Sequence, residues 1–195
     1  MTKPINSNHP YWHAKKTVEE SAENILELYL SYYHYIPQSI TDGRKVLTIS
    51  KEDFLTEEKI EKIISETPLD MELAFHSKIK LENGEYKHIP MIDMSTGSSV
   101  QLKKLQPYIG EELYKSIAWY KSGRSYHGYG SFLIDHKEWI SLMGKLLLTN
   151  KPGLPPTVDL RWVGHRLIAG YSALRWTKKT KQYLQEPAEA KMIIE

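Results

Sequence analysis

Apolar positions in the first third of the chain fall at helical spacing. Ala22, Ile25, Leu26, Tyr29, Tyr32, Tyr33 and Ile36 recur every three or four residues, and Pro37 stops the run. Thr17 with Glu20 has the form of a capping box, so a helix is predicted to open there. Tyr32, Tyr33 and Tyr35 are then read as part of a core stripe rather than as platforms for bases. The first sixteen residues show no period and are assigned to the surface. Asp42-Gly43 marks a turn before a short strand at 46–50. Leu55 and Ile60 flank Thr56 in staple positions, which predicts a helix running to about Thr67, closed by Pro68.

Residues 71–81 read as a strand, Asn83-Gly84 as a hairpin turn, and 86–94 as the return strand ending on Ile92 and Asp93. Leu102, Leu105, Tyr108 and Ile109 make one helical surface, and a helix is predicted again over 111–120. Gly123 permits a turn into a strand at 125–134, with Ser125, His127 and Tyr129 on one face and Tyr126 and Gly128 on the other. Asp135 is read as the cap of a helix burying Trp139, Leu142, Met143, Leu146 and Leu147. The Pro-Gly and Pro-Pro pairs make 149–156 a loop. Asp159 starts a short strand or turn, 171–177 reads as a strand, and a short helix broken near Pro187 is predicted over 182–195. Helices alternating with hairpins define an α+β fold, a mixed or largely antiparallel sheet flanked by helices. At 195 residues this is one domain, with its core over about 40–180.

Composition narrows the chemistry. The absence of cysteine excludes disulfides, thiolate ligands and cysteine nucleophiles. No stretch has the length of a membrane span or the apolar core of a signal peptide, so the chain is read as soluble and cytoplasmic, with no membrane partner. Charge is uneven. Residues 1–100 carry 11 Lys/Arg against 16 Asp/Glu, whereas 101–195 carry 15 against 8. The basic second half suits phosphate or nucleic-acid binding, and equally an ordinary solvated surface.

Two acids stand out. Asp93 and Asp159 lie 66 residues apart, each beside apolar residues at a strand boundary. Brought together they would make an all-oxygen site for Mg²⁺ or Mn²⁺; kept apart, each would cap a turn or pair with an arginine. Arg124 and Ser125 could hold phosphate oxygens, with His127 adding a charge-assisted hydrogen bond. The bland alternative is a polar patch in which Ser125 and His127 satisfy each other. Arg161, Arg166 and Arg175 are further phosphate candidates, although Arg175 between Leu174 and Trp176 equally suits a structural ion pair. His165 divides evenly between phosphate contact and a local network. Lys178, Lys179 and Lys181 read as a solvent-facing run that could reach a nucleic-acid backbone.

Three segments together resemble a known family: Met91-Ile-Asp-Met-Ser95, Ser122-Gly-Arg-Ser-Tyr-His127, and Val158-Asp159 with a return to Ala173-Leu-Arg-Trp176. Their order is similar to that of the catalytic domain of archaeo-eukaryotic-type primases and primase-polymerases. The resemblance implies a metal-dependent nucleotidyltransferase that makes or extends primers. Its metal acids would be Asp93 and Asp159, and Arg124, Ser125 and His127 would bind the incoming nucleoside triphosphate. Single-stranded DNA or RNA and accessory proteins of replication or defence are the implied partners. The chain departs from the family pattern at Ser95, where a second carboxylate is normal. Glu72, Glu82 or Asp135 are the neighbours that could replace it. The departure keeps a catalytically inactive nucleic-acid-binding subunit, and a metal-dependent nuclease, as alternative readings.

Overall fold

A computed structural model describes residues 4–191 as two antiparallel sheets with helices packed around them. In chain order the elements are α1 (Tyr11–Glu20), β1 (Ile25–Tyr33), β2 (Arg44–Ser50), α2 (Lys51–Leu55), α3 (Glu57–Ser65) and β3 (Glu72–Leu81). Then come β4 (Tyr86–His88), β5 (Met91–Asp93), a 3-10 segment (Ser99–Leu105), α4 (Gln106–Ile109), α5 (Glu111–Ser116) and β6 (Ala118–Lys121). The chain continues through β7 (Tyr126–Tyr129), β8 (Ile134–Asp135), α6 (His136–Leu148), α7 (Leu160–Ala169), β9 (Ala173–Arg175) and β10 (Ala188–Glu189). One sheet runs β2-β1-β3-β4-β8 with β9 also on β3, and the other runs β10-β6-β7-β5. The predicted α+β class is the one observed.

The first predicted helix is a strand. β1 lies between β2 and β3, and Ile25, Leu28, Leu30 and Tyr33 are buried along it. A strand covered on both faces reads as a continuous apolar run, which imitates helical spacing. The helix lies earlier, in the segment assigned to the surface. Tyr11, Ala14 and Val18 of α1 enter the main core, and the Thr17 hydroxyl bonds the His13 carbonyl inside the helix instead of capping one. Similarly, α5 ends at Ser116 and Trp119 and Tyr120 belong to β6.

The predicted strands at 86–94 and 125–134 each divide between the two sheets. β4 and β8 pair in the larger sheet, while β5 and β7 pair in the smaller. The two transfers occur beside each other, since the Gly130 N–H bonds the Pro90 carbonyl at 2.8 Å. Asp135 caps α6 with Glu138 in a full capping box, as its position implied. Leu147 of that helix is 38 % exposed, on the outer face instead of the buried one. Near the C-terminus the expected helix is replaced by a strap in which β10 pairs with β6; residues 192–195 of that prediction lie outside the described residues.

The smaller sheet separates two cores. Met91, Tyr120 and Tyr129 face one with Phe75 and Trp176, while Ile92, Trp119 and Tyr126 face the other with Trp139 and Leu142. Strand alternation therefore puts Asp93 and His127, which are register partners, on the same face as Met91 and Tyr129. That face looks toward β9.

Candidate functional site

The acids meet through the backbone. β5 ends at Asp93, Met94 bridges to Val158, and the Asp159 N–H donates to the Asp93 carbonyl at 2.9 Å. Asp159 is neither strand nor simple turn but the N-cap of α7, its Oδ1 accepting from the Trp162 N–H at 2.9 Å. Across the strand pair, His127 Nε2 lies 3.6 Å from Asp93 Oδ1. All three line one cavity of about 190 Å³.

Electrostatics in this corner are set by burial. The Asp93 carboxyl is pushed well above the usual carboxylate range, first by desolvation and then by the Asp159 charge, with Arg175 pulling the other way. His127 is driven well below its usual value by burial and by Arg175, so it is a neutral imidazole at pH 7. A neutral imidazole offers an anion only an ordinary hydrogen bond, not the charge-assisted one its sequence context suggested. His127 Nδ1 has no partner.

Arginines from three elements complete the cavity. Arg175 on β9 is held by backbone carbonyls. Its Nη1 donates to Thr177 and, at 3.1 Å, to Gln185, and its Nη2 donates to Ser122 at 2.7 Å. Its guanidinium stacks over the Tyr183 ring at 3.9 Å, and its Nε has no partner. The structural role foreseen for Arg175 is real, though carbonyls and not a carboxylate hold it. Arg166 on α7 is 1 % exposed, pairs with Asp42, and leaves Nη1 unpartnered. Arg161 and His165 on the same helix bond the Ser39 carbonyl.

Arg124 and Ser125 lie elsewhere. They form the β6–β7 tip, where Gly123 adopts φ +115° and Arg124 is exposed. Ser125 pairs with the Ser122 hydroxyl at 3.3 Å, and neither Arg124 nor Ser125 lines the cavity. The tip packs on the loop after Asp93 so closely that a Cβ on Gly97 would stand 2.5 Å from the Arg124 carbonyl oxygen. Ser95 is exposed and bonds Thr157 through its backbone.

None of the acids considered as its replacement joins the pair. Glu72 is buried against Thr177, Lys179 and Thr180, Asp135 caps α6, and Glu82 is exposed at the β3–β4 turn. Among the described residues, no group of three or more His, Asp or Glu side chains is arranged to hold a metal ion. The donor set is two carboxylates, one of which keeps an oxygen free of the helix cap. That fits one hard divalent ion shared with phosphate oxygens better than a two-ion centre.

Sequence reasoning missed the other wall. Tyr33, Ser39, Asp42 and Arg44, from the end of β1 to the start of β2, and Tyr183 from the C-terminal strap all line the cavity. Asp42 and Arg44 flank a turn glycine, a local signal, but nothing local announces a partner at Arg166.

Two antiparallel sheets that bring a strand-end acid, a strand histidine and a helix-capping acid into one arginine-lined cavity define a primase-like core. The chain belongs to the AEP-like family, archaeo-eukaryotic primase 1D-like, which matches residues 51–188. No match is found among curated proteins or solved structures. The family match begins at α2, so α1, β1 and the loop that walls the cavity precede it.

Proposed function

We propose that the cavity binds the phosphates of a nucleoside triphosphate and that the chain acts on single-stranded nucleic acid as a primase-like nucleotidyltransferase. One observation carries this reading. Three residues lining the same cavity, Arg166, Arg175 and His127, each keep a buried nitrogen (Nη1, Nε and Nδ1) without a hydrogen-bond partner beside two converging aspartates. Buried polar nitrogens without partners are costly, and an anionic ligand drawing the two guanidiniums into the cavity would offset that cost.

In this reading Arg166 and Arg175 fix phosphate oxygens and His127 orients them from the sheet. Asp93 and Asp159 would hold one Mg²⁺ or Mn²⁺, which when bound supplies charge neutralisation on the triphosphate. The fixed cations stabilise charge as a primer 3′-hydroxyl attacks the α-phosphorus and pyrophosphate leaves. Arg124, exposed on the neighbouring hairpin tip, would meet the backbone of the nucleic acid in this reading and not the triphosphate.

Ser95 favours a second reading, a subunit that binds nucleotide and nucleic acid without turnover. Primer-extension and de novo synthesis assays with Mg²⁺ or Mn²⁺ separate the two. Product that disappears in Asp93→Asn and Asp159→Asn supports transfer. Nucleotide binding without product under every ion condition supports the second reading, and cleavage of the nucleic acid instead would point to a nuclease.

A further inference from the structure

The β1–β2 loop, residues 34–43, supplies acceptors to four donors of the cavity. The Ser39 carbonyl accepts from Arg161 Nη2 at 2.6 Å and stands 3.1 Å from His165 Nε2. Asp42 accepts from Arg44 Nε at 2.7 Å and from Arg166 Nη2. A polyanion entering this cavity would seek the same guanidiniums and imidazole.

Little else fastens the loop. Ser39 bonds Ile36 and Thr41 within the loop, His34 bonds the Asp70 carbonyl, and the Tyr35 ring sits 5.7 Å from Tyr183. Ile36 and Ile40 are 63 % and 90 % exposed, so their side chains contribute little burial. Gln38 adopts φ +57°, a left-handed conformation that a non-glycine residue holds only under local constraint. A segment with few buried contacts opens at low cost.

We propose that this loop is a built-in stand-in for substrate phosphates, a latch that a nucleoside triphosphate displaces. The latch rests on the triphosphate reading of the cavity. In the free chain Ser39 and Asp42 occupy the cations; on binding, phosphate oxygens take those donors and residues 36–42 lift from α7. Asp42 therefore works against binding, because the ligand must displace it and only the released fraction of molecules is competent. A residue that merely positioned Arg44 and Arg166 would act in the opposite sense.

Hydrogen–deuterium exchange of the full chain, with and without ATP and Mn²⁺, tests the latch alongside calorimetric titration of ATP. On binding, amides in 36–42 exchange about tenfold faster while those in 159–166 slow. Asp42→Asn binds ATP roughly three- to tenfold more tightly than wild type. Arg161→Gln, a change at an exposed position that spares the fold, speeds loop exchange before any nucleotide is added. Slower loop exchange on binding, weaker binding by Asp42→Asn, or an unchanged loop in Arg161→Gln each overturns the latch and leaves the nucleotide site standing. Failure of wild type and Arg161→Gln alike to bind ATP overturns both. If Asp42→Asn does not fold, the wild-type and Arg161→Gln measurements still decide.

Discussion

Asp93 and Asp159 both line one cavity, yet they answer to different tests. Asp93 has its charge opposed by burial and by Asp159, so Asn at that position should raise the melting temperature of the ligand-free protein at pH 7 while removing divalent-ion-dependent nucleotide binding. Asp159 also caps α7. Asp159→Ala should cost about 1 kcal/mol in a denaturant titration, whereas Asp159→Asn keeps the cap and leaves stability nearly unchanged. A binding defect in Asp159→Asn then reports charge alone. These acids, with His127, Arg166 and Arg175, were legible as residue types, though Asp159 caps α7 and Arg166 lies within it, not on a strand. What could not be read was which donors were already engaged: Arg161 and His165 by a backbone carbonyl, Arg175 by three of them.

Among the elements, the C-terminal strap has an unusual anchor. The Glu72 carboxylate at the start of β3 is fully buried and accepts from the Thr177 hydroxyl, the Lys179 and Thr180 amides and the Thr180 hydroxyl. A neutral amide would turn a donor toward donors, so Glu72→Gln should destabilise by about 3 kcal/mol in denaturant unfolding. It should also loosen Tyr183, and with it the cavity wall, detectable as faster amide exchange over 178–186. Capping and turn chemistry made α6, the Asn83-Gly84 hairpin and the proline loop readable, because each is decided within a few residues. β1 was misread because burial on both faces erases a period of two. The split of β4 from β5 was hidden because nothing local tells a strand to change sheets; a contact between residues distant in sequence, Pro90 with Gly130, marks where it happens.

Besides His127, the interior keeps His9, His76 and His88 neutral at pH 7. Burial lowers His9 to about 4, and His76 and His88 to about 3, with neighbouring Arg44 and Arg166 adding to the effect at His76 and His136 at His88. Between those values and about 6.5, the unfolded chain takes up protons that the folded chain refuses. The histidines' contribution to stability should therefore be flat above pH 7 and fall as pH drops below about 6.5, each histidine approaching ~1.4 kcal/mol per pH unit. Asp93 has the opposite sign, since its raised carboxyl binds a proton more readily folded than unfolded and its contribution is lost as pH rises. Melting temperatures from pH 4 to 8 check the net slope.

The cavity's purpose is tested most directly by calorimetric titration of ATP into the full chain, with Mn²⁺ or with EDTA, for wild type and Asp159→Asn. The account predicts binding by wild type with Mn²⁺ that weakens at least about tenfold in EDTA and in the variant, whose melting temperature is unaltered. No binding by wild type, or equal affinity under all these conditions, would contradict it.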